Sequence, residues 1–120
     1  MIKFEKYHGT GNDFIMIDNR EKQISTDSLS SVSSWCDRRF GIGADGVILI
    51  ERHAECDFNM VYYNSDGTQS FCGNGSRCAV IFARSLGIIG NEARFMAVDG
   101  MHEAKIDEED RVHLKMADVS

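Results

Sequence analysis

The sequence predicts an α/β fold of the α+β kind, with mostly antiparallel strands curled as a barrel around a central helix. Three observations predict it. Short apolar or alternating runs recur between turn residues along the whole chain, the pattern of several short strands. One segment, Asn74 to Leu86, is too long for a strand, and its Cys78 to Ala83 are apolar all round, so a helix there has to be surrounded by protein. Asp99-Gly100 is the strongest short hairpin signal in the chain. At 120 residues and 42% hydrophobic content, one core is the expected limit, and residues 1–120 are read as one domain.

The elements follow in order. Met1 to Tyr7 alternates loosely and Asp13 to Asp18 is a short apolar run, so both read as strands joined by the loop His8-Gly9-Thr10-Gly11-Asn12. In the serine-rich stretch that begins at Ser25, Leu29, Val32, Trp35, Cys36 and Phe40 recur at helical spacing. Ser25 or Thr26 can cap that helix and Gly41 can stop it, which predicts a peripheral amphipathic helix. Val47 to Glu51 and Asp57 to Tyr63 read as strands. The second places Phe58, Met60 and Tyr62 on one face and Asn59, Val61 and Tyr63 on the other. Asn64-Ser65-Asp66-Gly67 turns the chain toward the central helix, which ends at Gly87. Arg94 to Val98 and Met101 to Ile106 flank Asp99-Gly100, and Arg111 to Met116 returns through the acidic turn Asp107 to Asp110.

Thirteen basic against nineteen acidic residues give a net charge of -6, which repels a phosphate backbone and argues against a nucleic-acid partner. No apolar run approaches the roughly 18 residues of a membrane span, and the first residues lack a basic-then-apolar signal. A cytoplasmic protein without a membrane partner is the expectation. Cys36, Cys56, Cys72 and Cys78 form no C-x-x-C pair, and His8, His53, His102 and His113 form no close histidine pair, so a structural zinc site is not expected. Buried free thiols are the default reading for all four cysteines.

Two glycine loops imitate phosphate-binding motifs. Gly41-Ile42-Gly43-Ala44-Asp45-Gly46 matches G-x-G-x-x-G but follows a helix and opens a strand, the reverse of the order that aims helix N–H groups at a pyrophosphate. Gly9-Thr10-Gly11-Asn12-Asp13-Phe14 has Phe14 where the third glycine belongs. Both are read as turn geometry.

Phe71-Cys72-Gly73-Asn74-Gly75-Ser76-Arg77 differs in kind. Cys72 directly precedes a predicted helix, where the positive end of the macrodipole lowers a thiol pKa from about 8.5 toward neutrality. Gly73 and Gly75 let a carboxylate approach the backbone donors, and Asn74 adds an amide. A buried cysteine in a glycine turn would have the same local pattern, and local chemistry leaves both readings open. A tyrosine-phosphatase loop would need arginine where Cys78 stands. A cysteine hydrolase pairing Cys72 with a histidine, and a non-catalytic amino-acid-binding module, stay as alternatives.

The segments His8-Gly9-Thr10-Gly11-Asn12-Asp13-Phe14, Arg39 to Gly46, Tyr63-Asn64-Ser65-Asp66-Gly67 and Cys72 to Arg77 together, in this order, closely resemble diaminopimelate epimerases. The resemblance implies two similar halves, each a strand barrel around a central helix, of which this chain is the amino-terminal one with the carboxyl-terminal half missing. It implies a cofactor-independent isomerase, without metal or pyridoxal phosphate, that interconverts LL- and meso-2,6-diaminoheptanedioate by proton transfer between two cysteines. Cys72 matches one of them, and the other belongs to the missing half. It further implies substrate-binding roles for Asn12, Asn64, Gly73 and Asn74, a small diamino diacid substrate, and a homodimer when the enzyme is intact. The isolated chain is then expected to be inactive. Where some relatives carry a side-chain amide this sequence has Gly46, so no contact is carried over there. Arg38 and Arg39 are read as helix-end residues in contact with solvent rather than carboxylate clamps.

Overall fold

The run Gly46–Glu51 is buried at every position, as a strand covered on both faces must be. It is β3, and the sheet extends from it in both directions. The computed structural model describes residues 4–8, 11–21, 36–37, 43–65 and 73–116. Within them lie β1 (Glu5–His8), β2 (Asp13–Asp18), β3, β4 (Phe58–Asn64), α1 (Gly73–Ser85), β5 (Glu92–Ala97), β6 (Gly100–Ile106) and β7 (Val112–Met116). The seven strands form one sheet in the order β1-β2-β3-β4-β5-β6-β7. Four neighbouring pairs are antiparallel, while β2–β3 and β4–β5 are parallel. Parallel neighbours need a crossover of a dozen residues or more. Residues 19–45 supply one, and residues 65–91, which include α1, supply the other.

Alternation in the strands sorts the apolar side chains into two clusters. Phe14, Met16, Ile48, Ile50, Phe58, Met60 and Tyr62 face α1, whose Cys78, Ala79, Val80, Phe82 and Ala83 complete the main core. Ile15, Ile17, Val47, Leu49 and Tyr63 face the other way and pack with Ala44 and Cys36. The predicted facing of Phe58, Met60 and Tyr62 is therefore the observed one. β4 and β5 meet over only the pairs Phe58↔Phe95 and Asn59↔Met96. The rings of Phe58 and Phe95 stack at 5.0 Å, a contact worth about 0.5–1.5 kcal/mol beyond its area.

Three expectations are revised or lie outside the described residues. The two-residue turn of the β5–β6 hairpin is Val98-Asp99, because Ala97 pairs with Gly100. Gly100, at φ 125°, opens β6, since only glycine adopts that conformation without strain. α1 is not enclosed on every side. Asn74, Ile81 and Arg84 are half-buried and Arg77 is exposed, and their spacing of three or four residues puts them on one stripe. The reason is the sheet, which curls as a half-barrel with β1 and β7 as its two ends. The stripe faces a cleft of about 550 Å³ bordered by Tyr7, His8, Val112 and His113. The predicted serine-rich helix lies outside the described residues except for Asp37 and Cys36, which is helical and 5% exposed.

Candidate functional site

The direction of the strands assembles the site. β2 and β3 run parallel with Phe14 opposite Gly46, and β4 runs back with Asn64 opposite Gly46. The start of β2, the start of β3 and the end of β4 therefore lie at the same end of the sheet. α1 begins with Gly73 and Asn74 and touches β2, β3 and β4. A hydrogen bond ties its first turn to this end, because Asn74 Nδ2 donates to Asn12 Oδ1 at 3.0 Å.

Gly11 (φ 80°) and Gly43 (φ 84°) are the turns that deliver Asn12 and Asp45 to their strands, so the backbone reading of the glycine loops holds at these two positions. Asp45 has a larger part than that reading gave it. Its Oδ2 accepts from Asn12 Nδ2 at 3.2 Å and from the Asp13 N–H at 3.0 Å, while its own N–H donates to Asp13 Oδ1 at 3.1 Å. Asp13 in turn forms an ion pair with Lys6 at 3.1 Å. Sequence reading missed Asp45 because its partners are on another strand, far away in the chain. The available signal was an aspartate placed between a glycine turn and an unbroken apolar strand.

Of the residues named from sequence, Asn12 and Asn74 are in direct contact, Gly73 starts the helix beside them, and Asn64 ends β4 at the same end. Asn12, Asn64, Gly73 and Asn74 are all half-buried. Cys72 lies outside the described residues, joined by one peptide bond to Gly73. The first turn of α1 carries no acidic side chain, so the helix N-terminus keeps its attraction for an anion. A Cβ on Gly46 would lie 2.5 Å from Tyr62 Cε1 and 2.7 Å from both the Tyr62 hydroxyl and the Tyr63 carbonyl oxygen. The space a side chain at position 46 would use is filled by Tyr62.

Of the four histidines, His53 and His102 are placed away from the cleft that Asn74 lines. His102 Nε2 lies 2.7 Å from Asp99 near the β5–β6 turn, His113 is 2.9 Å from Asp107, and His53 Nδ1 accepts from the Glu55 N–H at 3.0 Å. His8, exposed at the end of β1 opposite Asp13, reaches the site end of the sheet, and His113 borders with it the cleft that Asn74 also lines. Cys36 and Cys78 are buried, and Cys56 donates to the Phe58 carbonyl at 3.3 Å. Burial pushes the Cys56 thiol up from its ordinary pKa. Among the described residues no group of three or more histidine, cysteine, aspartate or glutamate side chains could hold a metal ion.

Comparison with known proteins adds the family. A sequence profile of diaminopimelate epimerase matches residues 4–120. Diaminopimelate epimerase of Flavobacterium psychrophilum is 56% identical over 119 residues, covering 98% of this chain and 46% of the relative. The Chlorobaculum tepidum enzyme of the same name is 47% identical over 111 residues, covering 90% of this chain and 43% of the relative. This chain thus spans somewhat less than half the length of these relatives. Among solved structures, a probable proline racemase from Agrobacterium radiobacter K84 superposes with a TM-score of 0.64 at 15% identity, covering 98% of this chain and 42% of that one. A methylitaconate-delta-isomerase superposes at 0.67 and 12% identity, covering 92% and 62%. These distant structures share the fold. The profile match and the identity to the curated relatives settle the lineage, and the chain belongs to the diaminopimelate epimerase family.

Proposed function

We propose that this chain supplies the amino-terminal half of a cytoplasmic, cofactor-independent epimerase that interconverts LL- and meso-2,6-diaminoheptanedioate. Residues 1–120 form its first domain, with Cys72 as one of two proton-transfer groups. The observation that carries the proposal is the bonded pair of Asn12 and Asn74 at the first turn of α1, immediately after Cys72, in a chain 56% identical to a diaminopimelate epimerase.

The chemistry suits these residues. Inverting a carbon bearing a carboxylate and an ammonium group requires a base on one face and an acid on the other. A thiolate at a helix N-terminus is stabilised by the unpaired N–H groups and the dipole. Cys72 in that form removes the α-proton, and its sulfur becomes a thiol. A thiol supplied by the carboxyl-terminal half delivers a proton to the opposite face and becomes the thiolate, so the two exchange roles for the reverse direction. Asn12, Asn64 and Asn74, with the Gly73 N–H, hold a diacid by hydrogen bonds from neutral groups, which avoids burying an unpaired protein charge. No metal or organic cofactor is needed for these steps. The intact enzyme works as a homodimer, and neither nucleic acid nor membrane is a partner. The 56% identity to a diaminopimelate epimerase favours the epimerase over a cysteine hydrolase.

The test incubates the full-length protein with the LL substrate in deuterated water and follows exchange at the α-carbon together with formation of the meso isomer. Exchange and isomerisation are expected. Binding without exchange would establish an amino-acid-binding module, and turnover of an ester or amide by the 120-residue chain alone would establish the hydrolase.

A further inference from the structure

At the site end of the sheet, the Asn12 side chain has both of its ends engaged. Its Nδ2 donates to Asp45 at 3.2 Å and its Oδ1 accepts from Asn74 Nδ2 at 3.0 Å. An amide can usually turn over and exchange nitrogen for oxygen. Here it cannot, because an ionised carboxylate accepts hydrogen bonds and never donates them. Facing Asp45, Asn12 must present nitrogen, so its oxygen faces α1. Asn74 must answer with its own nitrogen.

The carboxylate that makes this choice is itself fixed. It accepts from the Asp13 N–H at 3.0 Å, while the Asp45 N–H donates to the Asp13 carbonyl at 2.9 Å and to the Asp13 carboxylate at 3.1 Å. Both residues sit at the start of β2 and β3, whose parallel pairing begins at the next position with Phe14 and Gly46. The anchoring comes from the backbone of β2 and from the Asp13 carboxylate.

We infer that Asp45 is a positioning residue of the epimerase site: it sets the polarity of Asn12 and, through Asn12, of Asn74. This rests on the proposal that those two amides contact the substrate. An amino-acid end offers a carboxylate and an ammonium group on one carbon. A pair of amides free to turn over would accept it in two senses, of which one presents the α-hydrogen to the base. With the polarity fixed, only one sense matches donors to the carboxylate and acceptors to the ammonium.

The experiment uses the full-length enzyme. Asp45→Asn keeps size but no longer guarantees an acceptor: the one carboxylate oxygen that takes both Asn12 Nδ2 and the Asp13 N–H becomes either an amide oxygen or an amide nitrogen. KM for the LL substrate is expected to rise about tenfold, with kcat falling less and the thermal midpoint little changed. Adding Asp45→Asn to Asn12→Ala is expected to have no further effect on kcat/KM, because the relay is already cut. Asp45→Ser, which retains an acceptor oxygen, is read in the same cycle should the first variant fold poorly. A lowered midpoint with KM and kcat unchanged, or additive losses in the double variant, would overturn the positioning role. If Asn12→Ala and Asn74→Ala leave KM unchanged, the underlying assignment of substrate contacts fails and the inference falls with it. If they raise KM while Asp45→Asn does nothing, only the role of Asp45 is lost.

Discussion

At Cys72, replacing sulfur by oxygen keeps the shape of the side chain but leaves a hydroxyl, a far poorer base near neutral pH. In the full-length enzyme, Cys72→Ser is expected to lower kcat by about 10²–10⁴-fold while substrate affinity is largely kept, as steady-state kinetics and calorimetry would show. The same thiol should be the most reactive of the four. Cys36 and Cys78 are buried, and burial raises the Cys56 pKa, so a limiting dose of alkylating agent should label Cys72 first. Mass spectra showing Cys36 or Cys78 labelled ahead of it would mean that Cys72 is an ordinary thiol. Gly46 makes a separate prediction. A methyl group there meets Tyr62 and the Tyr63 carbonyl, and overpacking of this kind costs about 1–3 kcal/mol. Gly46→Ala should lower the denaturant midpoint, and Tyr62→Phe should not restore it, because the ring carbon and the carbonyl remain. An unchanged midpoint would show that the ring moves aside. Asn12, Asn64, Gly73 and Asn74 were named from the sequence through the family resemblance of their motifs, and the structure places them at one end of the sheet. Asp45 was not legible in the sequence, because its role depends on β2 and β3 lying side by side, which no local pattern contains.

Among the elements, the β6–β7 turn is organised by a single side chain. The Asp107 carboxylate accepts from the Glu109 and Arg111 N–H groups at 2.9 Å each, from Arg111 Nε at 3.1 Å, and lies 2.9 Å from His113 Nε2. The His113 hydrogen bond and then the backbone N–H groups hold its pKa well below the ordinary 3.8. A depressed carboxyl adds stability that is complete above the unfolded-state value and is lost as pH falls through the folded-state value. Amide-exchange protection of Glu109 and Arg111 should therefore stay level down to about pH 4 and decline in stronger acid. Asp107→Asn should remove that decline, and an identical acid profile in the variant would refute the assignment. Strand existence was legible from apolar alternation, and α1 from its length and its apolar run. Two features were not. The β5–β6 turn is shifted by one residue, because Gly100 serves its positive φ from within the strand rather than in the turn. The parallel pairings of β2–β3 and β4–β5 are set by which strands become neighbours after the crossovers, and alternation within a strand is the same for either direction.

For the whole molecule, the open side of the half-barrel decides how the 120-residue chain behaves alone. Among the described residues, β1 pairs only with β2 and β7 only with β6, so each has an outer edge of backbone donors and acceptors. Lys6 on β1 and Lys115 on β7 put charge along those edges, which discourages pairing with another chain. The floor between the edges is different in character. Tyr7, Ile81 and Val112 line the cleft over α1, and the Tyr7 ring already lies edge-on to Phe82 at 5.6 Å. A strand entering the cleft would gain backbone hydrogen bonds and cover apolar surface together, a gain that the edge charges oppose only through screened, solvent-exposed repulsion. The net charge of -6 opposes self-association as well, and salt weakens it too. The isolated chain is therefore expected to associate as concentration rises, and more readily at high ionic strength. Light scattering across a concentration series at two salt levels measures this directly. A mass that stays monomeric throughout would show that the charged edges, not the apolar floor, govern this face of the molecule.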